Sequence, residues 1–183
     1  RVADGIVAIV LDELPNLAVH KVITKAGGSA EILNQPTDIW VDNSGNMFVS
    51  DGMNKRIVKY DPNGAFILEI GKPCPNHLTD NPPPGTMTGP SYLVGNNAGN
   101  LHICDTRGHQ VSVFSTETGD FVRSYGNDIP DGPKGKFSPN GITILPDGRI
   151  AVTDTPNHRY FYFDQSGKMV KQLGVAGEEL GQL

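Results

Sequence analysis

Only two cysteines, Cys74 and Cys104, occur in 183 residues. One disulfide between them would tie a linker to a strand and mark an oxidising compartment; two separate thiols are the alternative. Nowhere does an apolar run approach the ~18 residues of a membrane-spanning helix. Basic residues are scarce as well: 15 Lys and Arg stand against 20 Asp and Glu, a net charge of −5. That balance argues against a dominant nucleic-acid surface, which concentrates cations to meet phosphates. No stretch keeps a 3.6-residue apolar period, so a helical class is set aside. A G-x-S-x-G elbow, a phosphate-cradling glycine loop and a C-x-x-C pair are all missing. With them go common signs of nucleophilic, nucleotide and redox chemistry, and no cofactor is expected. No N-terminal targeting segment is recognisable, and the chain opens at Arg1 rather than Met.

What the chain does have is glycine, proline and repetition. Gly 22 and Pro 14 accompany 37% hydrophobic residues, a composition that suits a globular all-β protein dense in turns. Three segments, 36–71, 90–126 and 139–174, share one pattern. Counted from Pro36, Pro90 and Pro139, a glycine stands nine residues on and an aspartate fifteen on, at Asp51, Asp105 and Asp154. An aromatic follows at twenty-four, as Tyr60, Phe114 and Phe163. The next glycine falls at 28, 29 and 28, and a closing one at 35, 36 and 35. Five landmarks held in register three times identify an internal repeat of 54 and then 49 residues.

Each unit contains four short runs rich in Ile, Val, Phe and Tyr. In the first they are Asp38–Val41, Asn46–Ser50, Arg56–Tyr60 and Phe66–Ile70. Asn43-Ser44-Gly45 and Pro62-Asn63-Gly64 supply hairpin turns between them. Four strands joined by tight turns make an antiparallel meander that cannot bury both of its faces alone. Stacked around an axis, such meanders become the four-stranded blades of a β-propeller, each first strand innermost. About three and a half blades are expected. Residues 1–27 read as the back of another blade, with Val2-Ala3-Asp4 ending a second strand, then strands at Ile6–Leu11 and Ala18–Thr24. Residues 175–183 read as the approach to a further one. The Pro-rich linker Lys72–Gly89 reads as a surface loop with little regular structure. An open stack invites association through its blade edges, so the chain reads as part of a longer polypeptide or of an assembly.

Phe48-Val49-Ser50-Asp51-Gly52-Met53-Asn54-Lys55-Arg56-Ile57 and Val152-Thr153-Asp154-Thr155-Pro156-Asn157-His158-Arg159 resemble the NHL repeat, whose pattern runs "VAD…N-x-R-I". The second copy departs from it, with Gly108 and Gln110 in place of Asn and Arg. Gln35-Pro36-Thr37-Asp38, Phe48–Ile57 and Thr116-Glu117-Thr118-Gly119-Asp120-Phe121-Val122-Arg123 further resemble the peptidyl-hydroxyglycine α-amidating lyases. That resemblance implies a six-bladed propeller with axial zinc, and slightly favours a secretory or extracellular setting. It also implies zinc histidines after the proline of inner strands. Here those positions hold Thr37, Ser91 and Asn140, and Met53 stands where the resemblance places a catalytic tyrosine. Catalytic zinc takes three ligands from His, Cys and carboxylates, so the likeness carries the fold further than the activity.

The repeated residues read as scaffold, because equal placement in every unit is how turn-holding groups behave. Asp51, Asp105 and Asp154 are expected to accept hydrogen bonds from loops, and Arg56 and Arg159 to pair with an aspartate of the repeat. None of the five histidines has metal-ligand spacing. His109 and His158 occupy equivalent loop positions, expected to be exposed. Positions that differ between units are the better ligand candidates. Asp38, Tyr92 and Asn140 enter the innermost strands at the mouth of the channel, with His109 and His158 on outer loops. The expectation is a non-catalytic module that binds a protein or small molecule. A lyase-like metal enzyme with its metal elsewhere, or a structural subunit of an assembly, are the rivals.

Overall fold

The computed structural model describes residues 6–8, 21–23, 25–76 and 82–174. The segments 2–4, 9–11, 18–20 and 175–183, together with residue 24, on which some expectations fall, lie outside the described residues. Strands β1 (Ile6–Ala8) and β2 (Lys21–Ile23) pair antiparallel as a two-stranded sheet. Blade 1 follows, with β3 (Pro36–Val41), β4 (Met47–Asp51), β5 (Arg56–Tyr60) and β6 (Phe66–Ile70) paired in sequence order.

The linker after blade 1 is more ordered than its prolines suggest. Its ends, β7 (Lys72–Pro73) and β8 (Thr86–Met87), pair in parallel, and the Cys74 amide donates to the Met87 carbonyl at 2.9 Å. Met87 is fully buried among Phe48, Ile57, Leu93 and Phe114. An apolar side chain three residues before the blade pulls the linker into the core, which a count of prolines does not register.

Blade 2 comprises β9 (Pro90–Gly95), β10 (Asn100–Asp105), β11 (Gln110–Ser115) and β12 (Phe121–Tyr125). Blade 3 comprises β13 (Pro139–Ile144), β14 (Ile150–Asp154), β15 (Arg159–Phe163) and β16 (Met169–Leu173). All three are four-stranded antiparallel sheets with the same order. The turn between the first and second strands of each blade needs positive φ, and Gly45, Gly99 and Gly148 supply it at +83°, +77° and +85°.

Blades stack face to face, with the innermost strands β3, β9 and β13 in sequential contact. Phe48, Ile57 and Ile70 of blade 1 pack on Leu93, Leu101, Ile103 and Phe114 of blade 2. Cys104, Val111, Val113 and Tyr125 pack on Ile150, Val152, Phe161 and Phe163 of blade 3. Each such side chain contributes about 1.5–3 kcal/mol on burial, so the blade joints, more than the hairpins, hold the stack together. Ile23, Ala26 and Leu33 cover the outer part of blade 1's other face, leaving Ile39 and Val41 exposed at 41% and 51%. On the far face of blade 3, Tyr160 and Tyr162 are half-buried and Thr153 is exposed. Their counterparts in blade 2, Val111, Val113 and Cys104, are fully buried.

Candidate functional site

The rim where each first strand begins is built by one loop device used three times. In blade 1 the buried Asp51 ends β4, the chain makes a short turn through Gly52–Asn54, and Lys55 closes it in the left-handed region at φ +56°. His109 and His158 close the equivalent loops at +57° and +54°. Holding a non-glycine residue there costs roughly 1–2 kcal/mol, and the carboxylate network beneath offsets it. Asp51 accepts from the Asn34 amide (2.7 Å), Asn54 Nδ2 (2.8 Å) and Arg56 Nε (2.8 Å). Asp154 accepts from the Ser138 amide (3.1 Å), Asn157 Nδ2 (2.9 Å) and Arg159 Nε (2.8 Å).

The arginines bind the preceding linkers as well. Arg56 donates to the Gly27 and Ala30 carbonyls and to Glu69, and Arg159 donates to the Pro130 carbonyl. Burial alone would lower the Arg56 pKa, but the Asp51 and Glu69 carboxylates outweigh it and raise the pKa. Asp105 has no such cation among the described residues. It accepts from the amides of Thr88, Gly89 and Gly108, and Gln110, in the arginine's place, donates to Ser112. Burial accordingly pushes the Asp105 carboxyl up, against the pull of those amides and of His109.

The innermost strands share a second feature that the sequence hid. Pro36 pairs with Asp51 but Ile39 pairs with Val49, and the same one-residue slip recurs in blades 2 and 3. Thr37-Asp38, Ser91-Tyr92 and Asn140-Gly141 are therefore β-bulges, a device that re-aims side chains. Thr37 Oγ1 donates to the Ser91 carbonyl at 3.0 Å. Ser91 Oγ lies 2.7 Å from Thr106 Oγ1, whose hydroxyl donates to the Pro139 carbonyl at 2.7 Å. A run of hydroxyls thus steps across three blades.

The bulges bring the mouth candidates to one rim but give them different duties. Asp38 is half-buried, and its Oδ2 accepts the Leu93 amide of the next blade at 2.9 Å. Tyr92 is 42% exposed, and Asn140 is half-buried. His158 is exposed, as expected. His109 is not: it is half-buried, and its Nδ1–H donates to the Phe137 carbonyl at 2.8 Å, because the linker before blade 3 folds over it. Beside it, Asn127, Ile129, Asp131, Lys136 and Phe137 line a polar recess of about 180 Å³.

Thr37 and Ser91 offer zinc neither imidazole nor carboxylate, and their hydroxyls are engaged, that of Thr37 by blade 2 and that of Ser91 by Cys104 and Thr106 of its own blade; Asn140 offers only an amide. These positions do not fit a catalytic zinc. Among the described residues no three His, Cys, Asp or Glu side chains gather in a metal-holding group. Cys74 and Cys104 are separate buried thiols. Cys74 donates to the Asn76 carbonyl, and burial pushes the Cys104 thiol up. Among the described residues no helix is long and apolar enough to cross a membrane.

Sequence reasoning missed His102. It is buried on β10, with Nδ1 3.1 Å from the Tyr125 hydroxyl, and burial together with Arg123 pushes its pKa down to about 4. Its signal was visible in the repeat: Phe48 and Ala151 occupy the same place in the other blades.

Residues 138–159 match the family model of the NHL repeat. Over 114 residues, 61% of the chain, the sequence is 34% identical to peptidyl-glycine alpha-amidating monooxygenase B of Xenopus laevis, of which the match spans 13%. Over 143 residues, 78% of the chain, it is 26% identical to the protein brain tumor of Drosophila melanogaster, spanning 12% of it. In structure it resembles the virginiamycin B lyase of Staphylococcus aureus, with a TM-score of 0.59 at 17% identity, over 78% of this chain and 42% of that one. It also resembles the WD40 β-propeller domain of Doa1, with a TM-score of 0.54 at 14% identity, over 84% and 44%. The chain carries the NHL repeat on the four-stranded blades of a β-propeller, and its sequence is similar to the peptide-amidating monooxygenases and to brain tumor.

Proposed function

We propose that this chain is a non-catalytic propeller module, part of a longer polypeptide or of an assembly, whose channel mouth and rim loops bind a protein or a small ligand. The observation that carries the reading is the fate of the positions where an amidating lyase would hold zinc. Thr37 ties blade 1 to blade 2 through the Ser91 carbonyl, and the Ser91 hydroxyl braces Thr106, which reaches Pro139 of blade 3, so both hydroxyls serve the scaffold. Tyr92, Asn140 and His158 are the contacts on this reading. Asp38 and His109 orient the rim, since each already holds a backbone group of a neighbouring segment.

Metal analysis and a turnover assay with an α-hydroxyglycine peptide test the reading on the protein. No stoichiometric zinc and no turnover are expected. Zinc at one per chain together with turnover would overturn it in favour of the rival, a lyase-like propeller enzyme with its metal outside these blades, for which the 34% identity to an amidating monooxygenase speaks. The open far face of blade 3 favours a third reading, a structural subunit joined through blade edges; sedimentation of a stable monomer would sink that one.

A further inference from the structure

Strands alternate in direction, so the first turn of each blade lies at the end of the stack opposite the channel mouth. All three turns share one backbone pattern. The amides of Asp42, Asn96 and Leu145 donate to the carbonyls of Asn46, Asn100 and Arg149, and those of Gly45, Gly99 and Gly148 donate back. The side chains do not match. Asp42 Oδ1 accepts the amides of Ser44 and Asn46, and Asn96 Oδ1 accepts those of Ala98 and Asn100. A side-chain oxygen is what such a turn favours at this position. Blade 3 places Leu145 there, and Asp147 takes over one of the two bonds, from the Arg149 amide.

The next position departs as well. Asn43, Asn97 and Pro146 are equivalent, each seven residues after the first proline of its blade. Asn43 Nδ2 donates to Asn97 Oδ1 at 3.3 Å and ties the first turns of blades 1 and 2 together. Pro146 has no side-chain acceptor, so Asn97 Nδ2 makes no such tie to blade 3. The joint is open there. A cleft of about 380 Å³ lies between the two turns, with Asn96 and Asn97 on one wall, Ile144, Leu145 and Pro146 on the other, and Gln165 at its edge.

No charged residue lines this cleft among the described residues. The charges near it are engaged. Asp147 bridges Arg149 at 2.7 Å, Asp164 accepts the Ser166 and Lys168 amides, and Arg123 donates to the Gln165 carbonyl. The cleft therefore offers neutral amide groups on one wall and aliphatic carbon on the other. Its size lies within the ordinary range of ligand sites. Its apolar wall has no aromatic ring on which a sugar would stack.

We propose that this cleft docks an uncharged peptide segment of a partner protein. A main-chain carbonyl of the segment accepts from Asn97 Nδ2, where an asparagine at position 146 would have supplied the oxygen. One apolar side chain of the segment lies on Leu145 and Pro146. The joint between blades 1 and 2 is the template, since Asn43 closes there the gap that the segment closes here. Both departures from the repeat fall in one turn, each forfeits a polar bond, and both put carbon on the same wall. Main-chain hydrogen bonding holds the segment, and the apolar wall selects its side chain. This face is distinct from the channel mouth, and the inference does not depend on the function proposed there.

The sole tryptophan makes the test direct. Trp40 presses so closely on Gly95, at the wall of the cleft, that a Cβ on that glycine would overlap its ring. The chain is titrated with the peptide acetyl-Gly-Gln-Leu-Gln-Gly-amide while Trp40 fluorescence is followed. The same peptide with serine for leucine, acetyl-Lys-Lys-Leu-Lys-Lys-amide and maltotriose are titrated alongside. A saturable change with the first peptide is expected, with affinity about tenfold above the serine peptide and the same at low and high salt. Pro146→Asn gives blade 3 the asparagine of the other blades, lets Asn97 tie across the joint, and should weaken binding about tenfold or more. Asn97→Asp keeps the oxygen that Asn43 uses but removes the donor, and should weaken binding about threefold or more. The far-ultraviolet spectrum of each variant should be unchanged. No saturable binding, equal binding of the serine peptide, tighter binding of the lysine peptide or of maltotriose, or binding insensitive to both substitutions would overturn the proposal.

Discussion

Blades 1 and 3 close their upper loops around an aspartate, an asparagine and an arginine; blade 2 closes the same loop with the aspartate alone. The backbone paths nearly coincide, since Lys55, His109 and His158 take the same left-handed conformation. The energetics differ. Asp51 and Asp154 neutralise buried guanidinium groups that reach back to the preceding linker. Among the described residues Asp105 is held by amides alone, and its linker is instead fastened by β7–β8 pairing and by Met87. A loop geometry can thus outlive the ion pair that accompanies it, provided the linker finds another anchor.

Neutralising the carboxylates one at a time breaks the comparison most sharply. Asp51→Ala leaves Arg56 buried without its main partner and should cost about 3–5 kcal/mol. Asp105→Ala leaves amides unsatisfied but no charge, and should cost about 1–3 kcal/mol. Urea unfolding of the two variants checks the order; equal losses would show that the cation is not what separates the blades.

Acid titration sharpens it next. His102 is buried neutral where blade 1 has Phe48, and its folded pKa of about 4 lies below the ordinary 6.5. A base with a depressed folded pKa binds its proton better when unfolded. Its contribution is therefore fully present above pH 6.5 and lost as pH falls from there towards 4, about 3 kcal/mol in all. His102→Phe should flatten stability over that window, and an unchanged slope would assign the acid sensitivity elsewhere.

Restoring the repeat's asparagine to blade 2 is the third test. A Cβ at Gly108 would collide with the Asp105 carboxylate and approach Pro82. Gly108→Asn should therefore cost about 1–3 kcal/mol rather than stabilise, measured by the shift in urea midpoint. The smallest effect concerns Lys59, whose Nζ donates to the Thr116 carbonyl of blade 2 at 2.9 Å and lies over the Phe48 ring. Lys59→Val, the residue at the matching position of blade 2, should cost about 1 kcal/mol in the same measurement.

Much of this was legible in the residues. Short runs rich in Ile, Val, Phe and Tyr, separated by glycine turns, marked strands such as Arg56–Tyr60 and Phe66–Ile70, because those signals act over a few neighbouring residues. The aspartate–arginine pairing was foreseeable, since both residues recur at one spacing. The candidate site was less so. Asp38 and His109 stand out as polar rim residues, yet each is engaged by a segment distant in sequence: Leu93 lies 55 residues from Asp38, and Phe137 lies 28 from His109.

The sequence by itself determined the repeat, the strand class and the places where the chain turns, because the β-branched and aromatic content of short runs and glycine's tolerance of positive φ are local properties. Tertiary structure alone decided the bulges that aim Thr37, Ser91 and Asn140, the insertion of Met87 between blades, and which polar groups remain available at the rim. Those outcomes depend on contacts between blades. A contact between segments far apart in the chain has no signature in either partner until the sheets are stacked.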